Sequence, residues 1–188
     1  MPGDLLVLMS GQQATGKTTT ARALARRLDL PLHASHDLRA ALGFASGDLY
    51  RPEMRDEVYK RLLHGVTESG AVLDASFLRS AYRAAAYRLA ERSRLVAVVV
   101  ECQAKVSDIA FRTRRRLGVP GPENQGDRML YYRLRSAETD PLRQDGAIEH
   151  LRFDTSANTV TVIRSTSPAT RCVERVLRSL TLLGGPGG

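Results

Sequence analysis

The chain has 188 residues and a net charge of +8, from 28 Lys plus Arg against 20 Asp plus Glu, and only two cysteines, Cys102 and Cys172. A chain of that length forms one domain with a core that needs no staples, and two distant cysteines exclude a disulfide framework and a thiolate zinc site. The longest apolar run, Leu95 to Val100, falls far short of the roughly 20 residues of a membrane helix.

The apolar stretch at Leu5 has no basic segment ahead of it and reads as a strand rather than a leader. These features predict a cytoplasmic protein with no membrane partner, one domain over 1–183 and a flexible tail over 184–188. The basic residues are almost all arginine, the lysines being Lys17, Lys60 and Lys105. Such a charge admits a nucleic-acid partner, but the few aromatics offer no evident platform for stacking bases.

Strand-like and helix-like segments alternate along the chain, which predicts an α/β fold with a largely parallel sheet. DLLVLMS (4–10) reads as a first strand buried on both faces. KTTTARALARRL (17–28) follows as a helix with Ala21, Leu24, Ala25 and Leu28 on one stripe. LPLHAS (30–35) is a short second strand, followed by a helix over HDLRAALGF (36–44). A longer helix is expected from Pro52 to Ser69, with proline in its first turn and Gly70 after its end. AVLDAS (71–76) is the third strand, SAYRAAAYRLAERS (80–93) a helix with an alanine-rich face, and LVAVVVEC (95–102) the fourth strand. KVSDIAFRTRRRLG (105–118) is helical and runs into the loop GVPGPENQG (118–126). DRMLYYRLRSAE (127–138) resumes a helix, NTVTVIRS (158–165) reads as the fifth strand, and PATRCVERVLRSLTLL (168–183) is a closing amphipathic helix.

Between the first strand and its helix, Gly11-x-x-x-x-Gly16-Lys17-Thr18 fits the phosphate-binding loop pattern. Gly11, Gln12, Gln13, Ala14, Thr15 and Gly16, with Lys17, Thr18 and Thr19 opening the helix, are expected to cradle phosphates on backbone N–H groups and the helix dipole. In that arrangement Lys17 reaches the β- and γ-phosphates of ATP and Thr18 places its hydroxyl on Mg²⁺. Asp74, at the end of the third strand, suits the Mg²⁺ shell, with capping of the next helix as the alternative.

After the second strand, helical spacing puts His36 and Arg39 on one face and Asp37 about 200° from Arg39. An acid or imidazole beside an arginine suits deprotonation of an acceptor hydroxyl while the arginine anchors an anionic group. The same residues equally suit a Ser35 or Asp37 helix cap with a solvated Arg39. Arg112, Arg114, Arg115 and Arg116 precede the Gly/Pro loop, as a closing lid over roughly 112–130 requires. Arg112 and Arg116 share a face at i,i+4 spacing and are the two expected to reach the nucleotide and the transferring phosphoryl group.

The phosphate loop, SHDLR after strand two, VLDASFLR at strand three, VVVEC at strand four, the arginine-bearing lid and FDTS (153–156) together resemble the P-loop kinases of the polynucleotide 5′-kinase and gluconate-kinase type. The resemblance runs from Leu5 to about Leu180. It implies a P-loop NTPase three-layer sandwich with a five-stranded parallel sheet and a small lid, an ATP·Mg²⁺ donor and a hydroxyl acceptor. It also implies an aspartate general base in an S-D-x-x-R block. Here His36 stands in the aspartate's place and Asp37 comes one residue later, so either His36 is the base or the loop shifts to present Asp37. FDTS matches the segment beside the adenine, which puts Asp154 and Thr155 on the nucleotide side.

The expected activity is therefore transfer of the ATP γ-phosphoryl group to a hydroxyl of a small molecule. A polynucleotide 5′-hydroxyl kinase is the nearest alternative, favoured by the net charge and by Arg39. A nucleotide-dependent switch that uses Gln12 or Gln13 to place water is a third, which leaves the second-strand block without a purpose.

Overall fold

A computed structural model describes residues 4–43, 51–117, 140, 142–145 and 148–182, without the side chains of 116, 117, 143, 144 and 182. The expected helix over 127–138, the loop over 118–126, most of the 112–130 lid and the 184–188 tail lie outside the described residues. The order is β1 (Leu5–Ser10), α1 (Lys17–Leu28), β2 (Leu32–Ala34), α2 (Ser35–Ala41), α3 (Pro52–His64), β3 (Gly70–Asp74), α4 (Ser80–Arg92), β4 (Val96–Gln103) and α5 (Val106–Leu117). A 3₁₀ turn at Leu142–Asp145 then leads to β5 (Glu149–Asp154), β6 (Thr159–Arg164) and α6 (Pro168–Leu182).

One sheet holds all six strands in the order β2-β3-β1-β4-β5-β6. The first five are parallel, and β6 returns antiparallel against β5. The five-stranded parallel sheet is thus present, but its fifth strand is Glu149–Asp154 rather than the 158–165 run, which forms the antiparallel edge. The short link at Thr155–Asn158 explains the difference. A parallel partner needs a crossover of a dozen or more residues, whereas a few residues close only a hairpin.

Every residue of β1 is buried, because β1 has neighbours on both sides and helices over both faces. Its alternate residues feed two cores. Leu5, Val7 and Met9 pack with Ala21, Leu24, Val173 and Leu177 of α1 and α6. Leu6 and Leu8 pack with Val58, Leu62, Ala86 and Ala90 of α3 and α4. The layers are therefore helix, sheet, helix, and the predicted stripe of α1 faces the sheet. Since β1 and its neighbour β3 lead into helices on opposite faces, α1 and α4, the strand order reverses above their carboxyl ends. That reversal opens a crevice for a ligand.

Helix α3 stops at His64, well short of the expected Ser69, and Gly70 serves the sheet instead of ending the helix. Gly70 has φ +94°, and a Cβ there would stand 1.9 Å from the Leu5 carbonyl oxygen. Backbone cannot yield as a flexible side chain can. We expect Gly70→Ala to lower stability by more than about 2 kcal/mol, read as a shift of the urea midpoint followed by circular dichroism.

Candidate active site

The phosphate loop leaves β1 through a backbone that only its own residues permit. Gly11 has φ +128°, and a Cβ there would lie 2.3 Å from the Cys102 carbonyl oxygen. Ala14 is held left-handed at φ 60°, a strained state for a side-chain-bearing residue. Gly16, also left-handed, precedes α1 without any side-chain cap, and no acidic residue occupies the first turn. The start of α1 thus carries neither a capping side chain at Gly16 nor an acid in its first turn, the arrangement that suits an anion. Lys17 Nζ donates to Gln12 O at 2.6 Å and Thr15 Oγ1 to the same oxygen at 2.7 Å, so the ammonium lies back across the loop.

Strand alternation decides which face each acid serves. Asp74 lies two residues beyond Val72, hence on the α1 face with Lys17 and Thr18. It is 3% exposed, and its Oδ2 has no hydrogen-bond partner. A buried carboxylate oxygen left unpaired at that position suits a cation beside bound phosphates, since an unmet buried charge is costly. Among the described residues no three His, Cys, Asp or Glu side chains cluster as a metal cage. Mg²⁺ in kinase sites needs none, being held by one or two side chains, water and phosphate. Thr18 and Asp74 fit that role.

Ala34 pairs with Asp74, so α2 starts at the same carboxyl edge of the sheet. His36 Nε2 lies 3.1 Å from Asp37 Oδ1, and Arg39 Nη2 donates to Ser35 Oγ at 2.9 Å. His36 thus lies against the Asp37 carboxylate, while Arg39 is tied to Ser35.

On the far side, Thr155 is buried against the loop. Its hydroxyl donates to Thr15 O at 2.9 Å and receives a bond from Arg112 Nη1 at 2.9 Å. Arg112 Nη1 also reaches Ala14 O at 3.2 Å. Asp154 Oδ1 accepts from the N–H groups of Ser156 and Ala157, shaping the turn into β6. The Arg116 side chain lies outside the described residues.

Sequence reasoning missed the wall between these parts. Phe77 is fully buried with φ 40°, a strained state for an aromatic residue. Its N–H donates to Tyr59 Oη at 3.1 Å, and its carbonyl accepts from Arg83 Nη1 at 2.9 Å. Arg83 is itself fully buried. Its five N–H donors go to Phe77 O, Leu78 O, Asp140 O and both oxygens of Asp145. Burial opposes the Arg83 charge, and Asp145 outweighs burial and holds its pKa up. The only trace in the sequence is an arginine inside an otherwise alanine-rich helix face.

Glu101 was missed too. Two residues beyond Val99, it lies on the α3/α4 face, where it accepts from Gln103 Nε2 at 3.0 Å and Arg152 Nε at 2.9 Å and lies 3.2 Å from His150 Nε2. Burial works to raise its pKa, but the bonds from His150, Arg152 and Gln103 prevail and hold it at about 2.

A parallel sheet in this order, with a phosphate loop at its reversal point, defines a P-loop kinase fold. The sequence pattern of the AAA domain family matches residues 6–136, more than half of the chain, and the chain belongs to that family. A shikimate kinase from Ralstonia nicotianae is 32% identical over 172 residues, covering 82% of this chain and 80% of that protein. Another from Rhodopseudomonas palustris is 31% identical over 126 residues, 63% of this chain, and the chain spans only 59% of that relative's length. In solved structures the fold is shared with an APS kinase of Mycobacterium tuberculosis bound to AMPPNP and APS, at TM-score 0.59, 18% identity and coverage of 97% and 98%. A gluconokinase of Sinorhizobium meliloti shares it at TM-score 0.53, 19% identity and coverage of 96% and 95%. Among the described residues no helix is long and apolar enough to cross a membrane.

Two outcomes follow from these side chains. Arg83→Met leaves Asp145 buried without its partner and should cost about 3–5 kcal/mol, read by urea unfolding. Glu101 has a folded pKa below its ordinary 4.5. Its contribution to stability is therefore complete above about pH 4.5 and is lost as pH falls toward 2. Across that window the wild type should lose stability more steeply than Glu101→Gln.

Proposed function

We propose that the protein transfers the γ-phosphoryl group of ATP to a hydroxyl of a small-molecule acceptor. The observation that carries this is the uncapped start of α1 with Asp74 Oδ2 buried and unpaired beside it, at the edge where α2 presents His36. Anion cradle, cation ligand and base then share one crevice.

On this reading the loop N–H groups and Lys17 take the phosphates, Lys17 exchanging its bond to Gln12 O for phosphate oxygens. Thr18 and Asp74 hold Mg²⁺, which when bound neutralises charge on the β- and γ-phosphates. His36 accepts the acceptor's hydroxyl proton, with the Asp37 carboxylate 3.1 Å from its Nε2 to stabilise the charge that forms. His36 and Asp37 thereby act as a pair rather than as alternatives. Arg39 steadies the acceptor. Arg112, already within bonding distance of the loop, turns from Ala14 O to the nucleotide and, with Arg116, meets charge on the transferring group. Asp154 and Thr155 border the adenine side. The shikimate kinase relatives support a small hydroxylated acceptor over a polynucleotide.

Transfer of label from γ-labelled ATP·Mg²⁺ to a panel of small alcohols, with 5′-hydroxyl oligonucleotides alongside, tests this. Lys17→Ala should lower kcat at least about 100-fold. His36→Ala should lower it by about 10²–10⁴ with the ATP KM unchanged, and Asp37→Asn by less. Label on the oligonucleotide, with affinity falling steeply in salt, would replace the proposal by a polynucleotide kinase. Release of free phosphate alone, whatever acceptor is present, would make the protein an ATPase.

A further inference from the structure

A cavity of about 310 Å³ opens beside the first half of the phosphate loop, lined by Gly11, Gln12, Leu78, Glu101, Gln103 and Asp140, with Arg83 behind them. It runs across the crevice, from Thr15 and Cys102 on the α1 side to Leu78, Glu101 and Asp140 on the α3/α4 side. Ser10 and Glu101 are paired neighbours in the sheet, about 5 Å apart in backbone, so whatever fills this cavity sits next to the loop.

The charges of the cavity have one sign left to offer. Arg83, Glu101 and Asp140 are its charged residues among those described, and the five N–H groups of Arg83 are all spent inside the protein. Asp140 Oδ2 accepts from Ser80 N and Ser80 Oγ, both at 2.7 Å, and keeps its charge. Glu101 has three partners, Gln103, Arg152 and His150, of about four positions a carboxylate can fill. The Glu101 side chain is 20% exposed. Its partners fix it in place and keep it ionised, leaving one acceptor position.

We infer that Glu101 is a specificity-determining residue of the acceptor site, receiving a second donor group, a hydroxyl or an ammonium, of a polyhydroxylated acceptor. The inference rests on the kinase reading for calling this ligand the acceptor. Among the described residues, a carboxylate entering the α3/α4 end of the cavity meets two carboxylates and a saturated guanidinium, so the end of the ligand that docks there is neutral or cationic. Any anionic group of the acceptor lies on the Arg39 side instead.

The test reads binding, separately from transfer. Full-length protein saturated with a non-hydrolysable ATP analogue and Mg²⁺ is titrated calorimetrically with three six-carbon probes, glucosamine, glucitol and gluconate. Wild type should bind glucosamine or glucitol at least tenfold more tightly than gluconate. A lead for glucosamine identifies an ammonium donor, and parity with glucitol a hydroxyl. Glu101→Gln should weaken the preferred probe about tenfold, or about 1.4 kcal/mol, with the affinity for the ATP analogue within about twofold of wild type. Glu101→Asp keeps the charge for Arg152 and His150, so it should melt as the wild type does and show the same selective loss even if the Gln variant unfolds. Preference for gluconate, equal weakening of all three probes, or no binding by any of them overturns the assignment. Probe binding without phosphoryl transfer would sink the kinase reading alone, and transfer independent of Glu101 would sink this one alone.

Discussion

A single buried guanidinium holds together the wall beside the phosphate loop. Arg83 sits at zero exposure with each of its five N–H groups bonded. Burying that charge is tolerable only because Asp145 meets it with both oxygens and backbone carbonyls take the remaining donors. Two segments far apart in sequence are thereby clasped to α4, the turn after β3 and the chain returning at Asp140. The return also caps α4, since the Asp140 carboxylate accepts the Ser80 N–H at 2.7 Å, where a negative charge suits the helix dipole. The strained Phe77 turn persists because Tyr59 holds its N–H and Arg83 its carbonyl.

That turn is also bonded to the phosphate loop. Ser76 O accepts the Gly11 N–H at 3.2 Å, and Ser76 Oγ lies 3.2 Å from Tyr59 Oη. On the other side, Thr155 and Arg112 tie Thr15 and Ala14 to the end of β5. The loop is thus braced from both flanks by strands that neighbour β1 only through the fold. A loop whose backbone is strained at Ala14 needs such bracing, because the surroundings must over-determine a conformation that the chain disfavours.

The sheet also separates two electrostatic tasks. On the α1 face stand Lys17, Thr18 and the unpaired Asp74 Oδ2, the groups proposed to take phosphate and a cation. On the α3/α4 face stand Glu101 and Asp140, each a carboxylate already fixed by donors. Residues one apart on a strand point to opposite faces, so Glu101 and its neighbour Cys102 pack into different layers. The Cys102 thiol is buried under α1, and burial pushes its pKa up to about 12, so it serves as packing.

The residues whose roles depend on local geometry were legible in the sequence. The loop from Gly11 to Thr18, the stripe of α1, and Asp74 at a strand end all follow from spacing and period, and the structure places each as the pattern requires. The parallel order was legible from the alternation of elements, except at the last strand, where the length of the connection outranked the apolar pattern. What the sequence by itself determined is a strand, a glycine loop and a helix in the order that suits anion binding. Only the tertiary structure decided that Arg83 meets Asp145, that Tyr59 holds the Phe77 turn, and that Glu101 lines a cavity. The physical reason is reach. Periodicity reports which face of an element a residue occupies, whereas the partner of a buried charge is set by which distant segment the packed core brings within hydrogen-bond distance.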